Sequence, residues 1–211
     1  MHISDGVLSL PLVSFGWAVT VIILCLSIMR FYRMDQNTRS ASIPKIAVMT
    51  AAFFTASLVE LPIGPTSAHL VLAGLTGVIL GPFAFISIFI ALFLQAALFH
   101  FGGFVSLGVN SMNMGLCALL AYFIYFRLAQ HIDIRISAGL AGGLAVLFGA
   151  LVVAVFLYLN GSEFLTFIRI ELIAHFVLAV IEGLITAAVI SFIAKIRPDL
   201  LIRPPDPKKE S

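Results

Sequence analysis

The chain has 211 residues, of which 61% are hydrophobic and only 10% are charged, and its formal net charge at pH 7 is +2. This composition excludes an ordinary soluble domain and predicts an all-α integral membrane protein. We expect no nucleic-acid partner. The sequence has no G-x-x-x-x-G-K-[ST] motif, so the chain is not expected to carry its own ATP site.

Apolar runs predict about seven membrane spans, since one spanning helix needs roughly 20 mainly apolar residues. The third run is short and rich in glycine, which is compatible with a segment that is partly re-entrant. We expect one polytopic transmembrane metal-binding domain over 1–195 and a polar cytoplasmic tail over 196–211. The predicted spans cover about 10–31, 46–61, 70–80, 83–99, 114–126, 137–159 and 170–193.

The distribution of basic residues predicts the orientation of this bundle. With seven spans, all of the 12 Lys and Arg residues except Arg169 fall in the loops of one side or in the tail. The positive-inside rule then places the C-terminus in the cytoplasm and the N-terminus outside. The first residues, the loop 62–69 and the loop 100–113 all fall on the outer side.

The first two residues, Met1 and His2, can supply three adjacent nitrogen donors to one metal ion. These donors are the terminal amine, the amide nitrogen of His2 and its ring. Tetragonal nitrogen coordination suits Ni(II) or Cu(II), and Co(II) is possible. We expect Met1 to be retained before so bulky a residue, and His69 is the candidate for a fourth donor. The alternatives are an exposed His2 at a frayed terminus and an interfacial, helix-capping His69.

Three ionisable residues fall within the last predicted span. His175 and Glu182 are seven positions apart, so they lie on one face of the helix. We expect this face to point into the bundle, because a charge facing lipid is costly. Together with Glu171, we interpret them as structural or as part of coupling to a partner subunit, and metal ligation is the less favoured role. Glu182 lies too deep to meet Met1 unless the N-terminal residues dip into the bundle.

Small residues at helical spacing predict close helix packing, either within the chain or against another subunit. Packing within the chain is the favoured interpretation. The residues are Ala73, Gly77 and Gly81 in one segment, and Gly139, Gly142 and Gly143 in another.

Four motifs carry a resemblance to a known family. They are Met-His-Ile-x-Asp-Gly at 1–6, Pro-x-Gly-x-Thr-Ser-x-His at 62–69, Leu-Gly-Pro at 80–82 and Gly-Gly-x-x-x-Leu-Gly-x-Asn-x-x-Asn-Met at 102–114. Over essentially the whole chain, the sequence resembles the CbiM/NikM family, the substrate-capturing membrane subunits of cobalt and nickel energy-coupling factor (ECF) transporters. The resemblance implies a compact bundle of about seven transmembrane helices, with the N-terminal residues tucked in from outside.

The resemblance also implies a ligand set. In the family the metal is held by groups that correspond here to the amine of Met1, the amide and imidazole of His2, and the imidazole of His69. The ion is the transported substrate, Ni(II) or Co(II), and no cofactor is implied; the Pro62-Ile63-Gly64-Pro65 stretch leans weakly towards nickel. Four polar residues could orient the ligands or could equally cap helix ends: Thr66, Ser67, Asn110 and Asn113.

By this resemblance the chain is the substrate-specific component of an ATP-driven importer in the prokaryotic plasma membrane, with a link to cobalamin biosynthesis. Its implied partners are a transmembrane coupling (T) subunit, a pair of cytoplasmic ATPases, often a small accessory membrane subunit, and membrane lipid. An enzyme is disfavoured, because His175 and Glu182 differ too much in height to form a catalytic pair. A self-sufficient secondary transporter is the alternative. It would require paired acidic residues near the bilayer midplane and an internal repeat, but the sequence shows no convincing repeat and Glu182 is nearly alone.

Overall fold

The apolar runs form α-helices that are separated by short loops and one β-hairpin. The computed structural model describes residues 2–58, 60–63 and 65–202, with backbone only at 60–62, so Met1 lies outside the described residues. Two short strands pair antiparallel, with Glu60 opposite His69. The elements are α1 (Leu10–Tyr32), α2 (Gln36–Ala56), β1 (Glu60–Ile63), β2 (Thr66–His69), α3 (Ala73–Leu80), α4 (Ala84–Phe99), α5 (Leu107–Leu128), α6 (Ile134–Asn160) and α7 (Leu165–Ile196).

Within the described ranges, five helical stretches are long and apolar enough to cross a membrane. They are Leu10–Tyr32, Ala73–Phe99, Leu107–Leu128, Ile134–Asn160 and Ser162–Ile196. The chain is therefore a multi-pass membrane protein, while the predicted number of about seven spans stays a prediction. The boundaries of the second predicted span, 46–61, are wrong: α2 begins earlier, where Asp35 caps its polar first turn, and ends at Ala56. A strand begins at Glu60, within the predicted span.

Helix α3 is the short segment that the glycine-rich run predicted. Its eight residues extend about 12 Å, which is too short to cross a membrane alone. A 3₁₀ turn over Gly81–Phe83 joins it to α4, so the two helices together form one bent stretch.

The two ends of the described chain lie at opposite ends of the bundle. We call the end that holds the β-hairpin the hairpin end, and residues 2–9 lie there, since Ile3 pairs with Thr66 of β2. At the other end, the rings of Phe31 and Phe83 lie 5.7 Å apart, which places the end of α1 beside the 3₁₀ turn. Ile202 lies beside the same turn, against Gly81.

Small residues bring helices into close contact within the chain, as the sequence predicted. A Cβ atom on Gly77 of α3 would overlap the carbonyl oxygen of Ala118 in α5. Gly139 and Gly183 also hold α6 and α7 close together, because a Cβ on Gly183 would lie 2.9 Å from the Gly139 carbonyl oxygen. Backbones that approach this closely gain van der Waals contact that larger side chains would prevent.

The ionisable side chains of α7 face the interior of the bundle, as expected for charges in a membrane helix. Glu171, His175 and Glu182 are each 0% exposed. Glu182 accepts hydrogen bonds from the backbone amides of Val71 and Leu72, the latter at 2.8 Å and 3.0 Å, so it caps the start of α3. The unpaired amides and the positive dipole end of a helix both stabilise a carboxylate.

Candidate metal centre

The first two of residues 2–9, which we call the N-terminal segment, enter the bundle instead of fraying into solvent, whereas residues 4–6 are exposed. His2 is 3% exposed and Ile3 is 1% exposed. Ile3 forms a β-bridge with Thr66, and the Ser4 amide donates to the Pro65 carbonyl oxygen at 3.3 Å. The N-terminal segment thus lies against the hairpin, which contradicts the alternative of an exposed His2.

Two asparagine side chains hold the N-terminal segment by pairing with its backbone N–H and C=O groups, as a neighbouring strand would. The Asn110 amide group accepts from the Ile3 N–H at 2.9 Å and donates to the Ile3 carbonyl at 3.0 Å. Asn160, at the end of α6, donates to the Val7 carbonyl at 2.7 Å and accepts from the Ser9 N–H at 2.8 Å. At Ile3, the bonds to Asn110 satisfy backbone groups that would otherwise be buried unpaired.

Asp5 provides the third anchor of the N-terminal segment. Its carboxylate accepts from the Ser106 amide at 2.7 Å and from the Val105 amide at 3.2 Å, just before α5 begins. The preceding Gly102-Gly103 pair lets the loop approach this closely. Gly103 has a φ of +84°, and a Cβ atom there would overlap the Asp5 carboxylate. The glycine pair of the 102–114 motif therefore makes room for the N-terminal segment.

His2 and His69, which are far apart in sequence, stack against each other inside the bundle. Their ring centroids lie 4.6 Å apart with an interplanar angle of 27°. Each residue is 3% exposed, so the pair is shielded from solvent. His2 arrives on the N-terminal segment and His69 ends β2, and the Ile3 bridge to Thr66 sets their relative height.

The protonation state of His69 follows from its hydrogen bond. Its Nδ1 lies 3.0 Å from the Leu70 carbonyl oxygen, which can only accept, so Nδ1 carries the ring proton. Nε2 then has a lone pair, and it is buried without a hydrogen-bond partner in the described part of the chain. Burial also holds the pKa of His69 well below its ordinary value. A neutral imidazole nitrogen of this kind is a common ligand of late transition metals.

The structure places the predicted supporting residues at different distances from the histidine pair. Asn110 and Thr66 both contact Ile3, next to His2, while Ser67 is buried within β2. Asn113 is also buried, about one helical turn along α5 from Asn110, where the Cys117 thiol lies 4.0 Å from its Oδ1. Met1, the remaining predicted ligand, lies outside the described residues.

One residue of the centre, Gln95, was missed from the sequence. Its Oε1 lies 3.1 Å from Nε2 of His2, and Gln95 is 0% exposed. A side-chain amide in the second half of α4, whose other residues except Ser87 are apolar, was the signal that could have identified it. His100, by contrast, caps the end of α4 in a left-handed conformation and is exposed.

These features define a multi-pass membrane protein in which an inserted N-terminal segment and a β-hairpin enclose a buried histidine pair. Residues 2–200 match the family model described as the cobalt uptake substrate-specific transmembrane region. The chain therefore belongs to this family, CbiM, and is a membrane component of cobalt or nickel uptake. It is accordingly a transport protein.

Relatives cover most of the chain. A Haemophilus influenzae protein, provisionally named a metal transport protein, is 31% identical over 96% of this chain and 98% of its own. The cobalt transport protein CbiM of Geobacter sulfurreducens is 30% identical over 96% of this chain and 62% of its own. A crystal structure of a transition metal transporter superposes with a TM-score of 0.81 at 29% identity, covering 93% of each chain.

Proposed function

We propose that this protein is the substrate-specific component of an ATP-driven energy-coupling factor transporter and captures Ni(II) or Co(II) at the outer face of the membrane. One observation carries the proposal: His2 and His69 stack in a buried site, with ring centroids 4.6 Å apart. Two imidazoles brought together from distant parts of the chain are a donor set suited to these ions.

The proposed ligands are four nitrogen atoms. His69 contributes Nε2, whose lone pair follows from the Nδ1 bond to Leu70. His2 contributes a ring nitrogen and its own amide nitrogen, and Met1 contributes its amine. The amine, amide and ring donors of consecutive residues close fused chelate rings that favour a planar arrangement. Because binding displaces protons from these nitrogens, acid should weaken it.

The proposed orientation puts the hairpin end outside. Arg169 is near the start of α7 at this end, whereas Arg30, Arg127 and Lys195 lie near helix ends at the other. The positive-inside rule supports placing the more basic end in the cytoplasm. The histidine pair would then receive the ion from outside, and the basic end would face the ATPases.

The proposed partners are a transmembrane coupling subunit, a cytoplasmic ATPase pair and a small accessory membrane subunit. Two relatives support partners of this kind. The protein named as a fused nickel transport protein NikMN, from Archaeoglobus fulgidus, is 30% identical and 70% of its length is covered. One from Methanocorpusculum labreanum is named as a fused cobalt transport protein CbiMQ.

The structure gives less support to a self-sufficient secondary transporter. Such a protein would use membrane-embedded acids to bind a coupling ion. Glu182, the deepest acid described in α7, instead holds the backbone of Val71 and Leu72 at the start of α3. Its oxygens are thus committed to a structural contact.

Metal titration of the purified full-length protein tests the ligand set. We expect the wild type to bind one Ni(II) or Co(II), and His2→Ala, His69→Ala and insertion of one alanine after Met1 to abolish this binding. The insertion keeps both histidines but breaks the chelate. His100→Asn is the matched control, since it replaces a histidine at the same end of the bundle and asparagine tolerates its left-handed backbone.

The outcomes separate the parts of the proposal. Normal binding by the insertion variant would exclude the N-terminal chelate, and normal binding by His69→Ala would exclude the fourth ligand. The transporter assignment is tested by uptake of radioactive nickel or cobalt into cells that express this chain with or without a candidate ATPase pair. Uptake that does not depend on the ATPases would favour the secondary transporter.

A further inference from the structure

We propose that Gln95 is a positioning residue of the metal centre, which selects the tautomer of His2 whose Nδ1 can bind the ion. The inference rests on the proposed function, because it concerns how the same centre is prepared for metal. Gln95 belongs to α4, is 0% exposed and places Oε1 3.1 Å from Nε2 of His2.

The orientation of the Gln95 amide is set by its contacts with the end of α2. Its Nε2 donates to the Phe54 carbonyl oxygen at 3.1 Å and to the Ser57 hydroxyl at 2.5 Å. That hydroxyl in turn donates to the Phe53 carbonyl at 2.6 Å, so it must accept from Gln95. Both amide protons of Gln95 are therefore used at α2, and a flipped amide would face a carbonyl oxygen with another oxygen.

This orientation determines the tautomer of His2. The Gln95 Oε1 atom can only accept a hydrogen bond, so the His2 Nε2 atom at 3.1 Å must donate one. A neutral imidazole carries one proton, and its presence on Nε2 leaves Nδ1 with the lone pair. The Phe54 carbonyl thus fixes the Gln95 amide, and the Gln95 amide in turn places the His2 ring proton on Nε2.

The tautomer matters because of the covalent geometry of histidine. Nδ1 can close a six-membered chelate ring with the metal and the amide nitrogen of the same residue. Nε2 is on the far side of the ring, and its lone pair points away from that amide, so it cannot join the same chelate. A proton on Nδ1 would therefore have to move before the ion binds, whereas Gln95 holds it on Nε2 in advance.

The hydrogen bond also restricts rotation of the His2 ring. A ligating histidine commonly donates its second ring nitrogen to a partner that orients it and raises its basicity, and loss of the partner typically costs 10–100-fold in metal affinity. In this centre His69 uses the Leu70 carbonyl for that purpose. Gln95 provides the corresponding partner for His2.

The tautomer is measured directly by nitrogen NMR of the metal-free wild type, with ¹⁵N-labelled histidine and His2→Gln to assign the signal. We expect His2 to be protonated on Nε2. An Nδ1-protonated His2 would overturn the proposal. This measurement requires no variant of Gln95 to fold and no metal to bind, so it is independent of the proposed function.

Metal affinity of variants tests the consequence. Gln95→Leu should lower Ni(II) affinity 10–100-fold, and Gln95→Glu, which keeps an acceptor for Nε2, should bind more tightly than Gln95→Leu. Ser87→Ala is the matched control, because Ser87 is a buried α4 residue that also bonds to α2, through Thr50 at 2.9 Å. It should retain wild-type affinity.

Contrary results are equally definite. If folded Gln95→Leu binds Ni(II) within threefold of the wild type, Gln95 does not position His2. If the wild type binds neither Ni(II) nor Co(II), the proposed function fails instead, whatever the tautomer. If neither Gln95 variant folds, the wild-type tautomer decides.

Discussion

Asn110 and Ile3 form a pair of hydrogen bonds in which one side-chain amide satisfies both backbone polar groups of one residue, at 2.9 Å and 3.0 Å. Both residues are almost fully buried. Because Ile3 directly follows His2, this pair sets the depth at which the histidine enters the bundle. The N-terminal segment is thereby held by side chains at a site where no further strand is available to pair with it.

Replacement of Asn110 by alanine should therefore destabilise the protein and weaken metal binding. A buried N–H and C=O of Ile3 would lose their partners, at a cost of about 1–3 kcal/mol for each group left unsatisfied. Thermal unfolding and Ni(II) titration measure the two effects. Asn160→Ala is the control: it removes the similar pair at Val7 and Ser9, farther from His2. Equal loss of metal affinity in both variants would contradict a local role for Asn110.

Alanine at Gly103 should be more harmful than alanine at Gly6. Both glycines have positive φ values, +84° and +81°, so either change costs roughly 1–2 kcal/mol of backbone strain. Only Gly103 also lies against the Asp5 carboxylate, whereas a Cβ on Gly6 would meet open space. We therefore expect the melting temperature to fall further for Gly103→Ala than for Gly6→Ala. If it falls less for Gly103→Ala, the contact of the new Cβ with Asp5 is easily relieved.

The stability of the metal-free protein should decrease as the pH falls below about 6.5, the ordinary pKa of histidine. Burial lowers the pKa of His69, so the folded state keeps this ring neutral while the unfolded state takes up a proton. Where the unfolded state binds more protons, the free energy of unfolding decreases as the pH is lowered. The contribution of His69 is thus fully present above its unfolded pKa and lost as pH approaches the folded one.

Melting temperatures at pH 7.5 and 5.5 measure this effect, with His69→Gln for comparison. We expect the wild type to lose more stability on acidification than the variant, because glutamine does not titrate. An equal loss in both proteins would assign the pH dependence to other groups.

Glu182 should be required for the correct start of α3. Glu182→Ala removes the acceptor of the Val71 and Leu72 amides, and we expect a loss of about 1–3 kcal/mol per amide left unsatisfied. Glu182→Gln keeps one carbonyl oxygen and should fall between the alanine variant and the wild type in melting temperature. Glu163→Ala, at an exposed acid beside α7, should have little effect. If Glu182→Gln is as unstable as Glu182→Ala, the charge itself, rather than an acceptor atom, stabilises α3.

The membrane class, the approximate positions of most helices and the candidate histidines could all be predicted from the sequence. Long apolar runs predict helices because a chain in lipid must satisfy its backbone polar groups within each segment. The boundaries were less certain where polar residues belong to a helix. For α2 the polar turns that follow Asp35 are helical, and the predicted end at residue 61 is strand.

Only some of the residues that hold the histidine pair in place could be predicted from the sequence. Asn110 and Thr66 were identified as candidates by their motifs, but the motifs did not show that both contact Ile3. Gln95 was missed because it lies in an apolar span with no motif around it. Its role depends on the ends of α2 and of the N-terminal segment meeting α4, and sequence spacing contains no information on that meeting.

The sequence by itself determined which segments enter the membrane and which residues can donate nitrogen to a metal, since both follow from local composition and covalent structure. Only the tertiary structure decided that His2 and His69 stack at 4.6 Å, and which ring nitrogen of each carries the proton. The physical reason is that a tautomer is set by its hydrogen-bond partner. Here those partners are a backbone carbonyl next in sequence to His69 and, for His2, the side chain of Gln95, which only packing of α4 against the N-terminal segment brings near.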